Sequence, residues 1–136
     1  MKNCIFCRIT AKERQSFPVY EDEDILAVLD IDPISEGHVL ILPKAHYSDA
    51  DELPEELYVR IQLLARRLVS ALKEVYGCDG YTVMQNGGAV SAIGHYHLHV
   101  FPRYLRDGYF VMTNGLSYRA GQSVADKIKE QLKKQP

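Results

Sequence analysis

Three of the chain's five histidines, His95, His97 and His99, occupy every second position of Gly94-His95-Tyr96-His97-Leu98-His99-Val100-Phe101-Pro102-Arg103. The residues between them, Tyr96, Leu98 and Val100, are aromatic or branched, which suits a strand. Successive strand side chains point to opposite faces, so the three imidazoles share one face and the apolar residues the other. A single metal held by all three is disfavoured. Positions i and i+4 of a strand lie roughly 13 Å apart, whereas a histidine nitrogen must come within about 2.1 Å of a zinc ion. The alternative gives each imidazole its own task, one of them as a nucleophile near neutral pH. A strand whose polar face carries histidines by chance is the plain competitor, and strict alternation of three counts against it.

A second chemical grouping opens the chain. Cys4-Ile5-Phe6-Cys7 has the Cys-x-x-Cys spacing of a zinc half-site, with free thiols on a frayed terminus as the simpler reading. Thioredoxin-like redox chemistry has little support, because no βαβ unit surrounds the pair. Cys78, beside Gly77, reads as a bystander. With three cysteines, an odd number, no disulfide framework is expected, and a reducing, cytoplasmic setting follows.

These groups need a scaffold. Residues 4–12 suit a short helix with Ile5, Phe6 and Ile9 near one side. Residues 19–22 and 25–31 read as strands joined by an acidic turn. Asp30 follows an apolar run, where an acid needs a reason, and exposure at a strand end is the plain one. Residues 32–37 are a turn by their Pro and Gly. Residues 38–42 then form a strand that opens on His38 and is closed by Pro43. Residues 54–76 predict the long helix: Leu57, Ile61, Leu64, Leu68, Leu72 and Val75 recur every three or four positions. Its acidic first turn and Gly77 suit the two helix ends. Residues 81–86 are another strand, ending in the turn signal Asn86-Gly87-Gly88. Residues 103–109 read as a loop or edge. Residues 123–134 predict a terminal helix with Val124, Ile128 and Leu132 four apart.

At 136 residues the chain reads as one domain, 46% hydrophobic and 25% charged. A net charge of −2 gives no footprint for a nucleic acid polymer. No stretch reaches the roughly 18 apolar residues of a membrane span, and Met1-Lys2-Asn3-Cys4 lacks the apolar region of a signal peptide.

The His-Φ-His-Φ-His-Φ-Φ pattern of residues 95–101 resembles the histidine triad (HIT) family of nucleotide hydrolases and transferases, most closely its bacterial Hint-type branch. The resemblance also rests on Cys4 to Cys7, Asp30, Gly37 to His46 and Asn86-Gly87, covering residues 1 to about 104. Residues 105–136 form an extension without a motif. The resemblance implies an α+β fold, with an antiparallel sheet of about five strands, one long helix and a short N-terminal helix, and a homodimer. It implies action at the α-phosphate of purine nucleotide amides, esters or dinucleoside polyphosphates. His97 would be the nucleophile, His38 the residue that orients or tunes it, and His99 a phosphate contact. Ile5, Phe6 and Ile9 would touch the base, Asp30 the ribose hydroxyls, and Asn86 the ribose and phosphate. A structural zinc on Cys4, Cys7, His46 and His95 is implied, with no catalytic metal required. A nucleotide-binding regulatory zinc protein with little turnover is the alternative. One departure stands out. Hint-type chains place Ala-Gly-Gln-Ser/Thr-Val before the triad, whereas this chain has Ala89-Val90-Ser91-Ala92-Ile93-Gly94, one residue shorter. Ser91 is then the candidate polar replacement.

Overall fold

A computed structural model describes residues 3–109 and 118–136. Five strands, β1 (Pro18–Glu21), β2 (Ile25–Leu29), β3 (Val39–Pro43), β4 (Gly80–Met84) and β5 (Leu98–Arg103), form one antiparallel sheet in the order β1-β2-β3-β5-β4. Three α-helices accompany it: α1 (Ile5–Thr10), α2 (Glu55–Tyr76) and α3 (Gln122–Leu132). The expected α+β architecture is what forms.

Asp22 closes the first hairpin, its carboxylate accepting from the Asp24 and Ile25 N–H groups, an Asx turn. The central strands are buried on both faces. Ile25, Ala27, Val39, Ile41, Leu98 and Val100 pack against Ile61, Leu64, Ala65 and Leu72 of α2. Leu26, Val28, Leu40 and Leu42 pack against Phe6 and Ile9 of α1. Burying one such aliphatic side chain contributes about 1.5–3 kcal/mol before the entropy cost of ordering it. Helix α2 has 22 residues and covers its face, whereas α1 has six and covers only part of the other. That shortfall leaves room for a cavity.

Two sequence expectations change here. Val75 is 70% exposed and does not belong to the α2 stripe. Tyr76, four residues after Leu72, packs on the core instead, because the i+3 position has rotated off the contact line at the helix end. Gly77 then ends α2 in the left-handed conformation, its N–H bonded to the Lys73 carbonyl. The strand expected across the whole triad begins only at Leu98. Its partner β3 ends at Pro43, which has no N–H to continue the ladder. The alternation survives nevertheless: Tyr96 is buried in the α2-facing core, while the rings of His95 and His97 lie against Phe6. The Tyr96 N–H bonds to the Tyr47 carbonyl at 2.7 Å.

Candidate functional site

The end of β3 and the approach to β5 set the first histidine. Pro43 offers only a carbonyl, and His95 Nε2 lies 2.9 Å from it. A carbonyl can only accept, so Nε2 carries the ring proton and Nδ1 keeps its lone pair. That Nδ1 lies 3.4 Å from Cys4 Sγ and 3.5 Å from Cys7 Sγ, while His46 Nδ1 lies 3.2 Å from Cys7 Sγ. All four ligand atoms fall within 4.8 Å of one another. Cys7 is part of the first turn of α1, and Cys4 caps that helix. Two thiols and two imidazole nitrogens converging at this spacing fit a tetrahedral zinc site. Burial and the neighbouring Cys4 sulfur push the Cys7 thiol up. A dication held between the sulfurs would outweigh both effects and favour the thiolates.

The same logic assigns the other rings. His97, buried against the edge of Phe6, places Nδ1 2.8 Å from the His95 carbonyl. Nδ1 therefore holds the proton and Nε2 is the free lone pair. His38 Nδ1 accepts the Ile34 N–H at 3.0 Å, so its Nε2 carries a proton. That proton is donated to His99 Nδ1, 2.9 Å away, which leaves His99 with a proton on Nε2. Burial, then the neighbouring His97 and His38 rings, lower His99 to about 4, with Asp30 opposing. Burial also lowers His38, against the Asp30 carboxylate 3.5 Å from its Nε2. Near neutral pH the pair His38–His99 is a chain of neutral imidazoles with a defined direction: donor to acceptor, ending in a free N–H.

A cavity of about 390 Å³ brings these groups together with much of what the sequence singled out. Ile5, Phe6 and Ile9 wall it from α1, Val28 and Leu40 from the sheet; Asp30, Asn86, His97 and His99 also line it. His38 stands behind His99 rather than in the lining. Ser91 does not line this cavity, and its hydroxyl donates to the Ile93 carbonyl at 2.7 Å. Ala92 and Ile93 do line it, and their N–H groups donate to no acceptor among the described residues. A wider, more open cavity lies across Ile5, Ala92 and Ile93, against Cys4 and His46. Sequence reasoning missed Val28, Leu40 and Met84, and also Arg14, Gln15 and Ser16, all of which line the cavity. For the first two, β2 and β3 are uninterrupted apolar runs, so no alternation marked which of their residues face the cavity. The polar loop 14–16 carried none.

Comparison with known proteins decides the family. Residues 11–106 match the model of the HIT domain. The chain belongs to the histidine triad family. It is 31% identical to a solved HIT family member from Bacillus subtilis, with a TM-score of 0.85 over 98% of this chain and 97% of that one. A zinc-bound histidine triad family protein from Mycobacterium smegmatis is also 31% identical, with a TM-score of 0.71 over 98% and 97% of the two chains. The adenosine 5′-monophosphoramidase of Saccharomyces cerevisiae is 38% identical over 74% of this chain and 62% of that protein. In this HIT chain the three histidines divide between two centres. His95 faces the sulfurs, whereas His97 and His99 face the cavity.

Proposed function

We propose that the protein cleaves purine nucleotide amides, esters or dinucleoside polyphosphates at the α-phosphate, passing the nucleotidyl group through His97 to water or another acceptor. The observation that carries this reading is the His97 ring: its Nδ1–H is held by the His95 carbonyl, leaving Nε2 free to attack. The Nε2 lone pair bonds to phosphorus. The bond to the leaving group breaks, its electron pair departing with that group, which takes up a proton. Water then attacks the nucleotidyl-histidine, the P–Nε2 bond breaks, and the mononucleotide leaves. A neutral imidazole is a competent nucleophile at phosphorus, and the phosphoramidate it forms is readily hydrolysed. The His99 Nε2–H and the free N–H groups of Ala92 and Ile93 are the donors for the phosphoryl oxygens. His38 positions His99. The apolar wall of Ile5, Phe6 and Ile9 suits a base, Asp30 accepts from ribose hydroxyls, and Asn86 lines the same cavity. The activity named for the yeast relative supports this class of substrate.

Cys4, Cys7, His46 and His95 would hold a structural zinc. When bound, it would crosslink α1 to the triad segment and supply fold stability. A reducing, cytoplasmic setting keeps both thiols available. A homodimer belongs to the same reading: β4 is an edge strand whose exposed Tyr81 and Val83 border a groove with Ala65 and Val69 of α2. A nucleotide-binding regulatory zinc protein with little turnover is the second reading. It is favoured by the short pre-triad loop, whose only hydroxyl is turned into its own backbone.

The deciding experiment compares the parent with His97→Ala on an adenosine phosphoramidate, with quenched samples analysed for AMP bound to protein. Turnover and an adduct in the parent, with neither in the variant, carry the proposal. A parent that binds AMP without turnover or adduct moves the protein to the second reading.

A further inference from the structure

Segment 46–49 touches three parts of the site within four residues. His46 belongs to the zinc donors, the Tyr47 carbonyl accepts from Tyr96 N–H within the triad, and Asp49 reaches the loop that precedes it. Asp49 is half-buried, and its carboxylate makes two caps. One oxygen accepts from Ala50 N–H at 2.8 Å, opening the 3-10 turn Ala50–Glu52. The other accepts from Gly88 N–H at 3.0 Å, opening the 3-10 turn Gly88–Val90. Gly87, at the cap position of that second turn, has no side chain to do this itself. A carboxylate 39 residues earlier in the chain does it instead. The fit is close: a Cβ on Gly87 would lie 2.5 Å from Asp49 Oδ1. Gly87 has an ordinary extended φ of −120°, so a side chain there would strain no backbone but would require the Asp49 carboxylate to shift.

We propose that Asp49 is a positioning residue that holds the Gly87–Ile93 loop so that the free N–H groups of Ala92 and Ile93 meet the α-phosphate. This rests on the nucleotide reading of the cavity. The Ser91 hydroxyl is consumed by Ile93, so the placement of backbone donors carries the phosphate contact, and the Asp49 carboxylate fixes where that loop begins. A carboxylate accepting two N–H groups is a stiff anchor, because charge-assisted hydrogen bonds are short and strong. Val90-Ser91 connects the anchored turn to the donors, and the Ile93 side chain, packed on the core beside α1, holds the far end of the loop.

The test measures AMP and adenosine affinity by calorimetry, with kcat and KM on an adenosine phosphoramidate, for the parent, Asp49→Ala, Asp49→Asn, Gly87→Ala and the double variant Asp49→Ala/Gly87→Ala. Asp49→Ala should weaken AMP about tenfold and lower kcat/KM by about tenfold to a hundredfold, as expected when donors shift by about 1 Å. Adenosine, which lacks the phosphate, should bind within about twofold of the parent. Asp49→Asn keeps an acceptor oxygen and caps nearly as well, so it should fall between parent and Asp49→Ala. Gly87→Ala should cost AMP affinity in the parent but add less than about twofold in the Asp49→Ala background, where the clash is gone. Adenosine and AMP weakened equally would make Asp49 a general scaffold residue and overturn the proposal, as would an Asn variant no better than the Ala variant. A parent that binds AMP and is matched by Asp49→Ala overturns this inference alone. A parent that binds no AMP removes the nucleotide reading and this inference with it.

Discussion

Acid should destabilise this fold through His99 before any carboxylate protonates. His99 has an ordinary pKa of 6.5 when unfolded and about 4 when folded, because it is half-buried beside two other imidazoles. Between those values the unfolded chain binds a proton that the folded chain refuses. Stability from this group is therefore complete above about pH 6.5 and is lost as pH falls toward 4. Over that whole interval the ceiling is about 3.4 kcal/mol, of which about 2 kcal/mol falls between pH 7 and 5. Contact with water through the cavity screens the group, so about 1–2 kcal/mol is the expected loss. His38 and His95 are displaced in the same direction by burial and add to the slope. The assay is urea unfolding of the metal-free protein at pH 7, 6 and 5, for the parent and His99→Gln. The parent should lose stability steadily on acidification, and the variant should lose about 1 kcal/mol less. A parent equally stable at pH 7 and 5, or a His99 ring that titrates near 6.5 by NMR, would refute the neutral imidazole chain and with it the donor role of His99.

Three further perturbations test other parts of the site. Phe6→Ala removes a buried ring that packs edge-on against both His95 and His97; it should cost about 3–5 kcal/mol in urea unfolding and weaken adenosine together with AMP. Gly37→Ala would place a Cβ 2.5 Å from the Tyr76 ring at a φ of +87°. It should lower stability by about 1–3 kcal/mol at unchanged m-value, and adding Tyr76→Ala should remove the steric share but not the backbone share. Zinc at about a thousand times its dissociation constant should add about 4 kcal/mol, seen as a rise in Tm that a chelator reverses. Cys4→Ser should shrink that rise, and a Tm indifferent to zinc in the parent would count against the site.

What was legible in the sequence had short range. The alternation of His95, His97 and His99 with apolar residues survives even where no ladder forms, because it reflects two covered faces rather than hydrogen bonds. The α2 stripe was legible up to Leu72 and failed at Val75, where the helix turns its i+4 residue to the core. Val28 and Leu40 were harder to place, since β2 and β3 are buried on both faces and read as uninterrupted apolar runs. The decisive features of the site involve backbone groups, near and far in the chain, that no residue type announces. The Pro43 carbonyl, 52 residues from His95, selects the tautomer that turns Nδ1 toward the sulfurs. The Ile34 N–H sets the direction of the His38–His99 bond. Each of the three triad histidines has a partner that leaves one specified nitrogen open, and the partner is a main-chain carbonyl for two of them. The residue types were necessary for this chemistry, but the division of labour among three identical side chains comes from which partner each one meets, a backbone carbonyl for His95 and His97 and the His38 ring for His99.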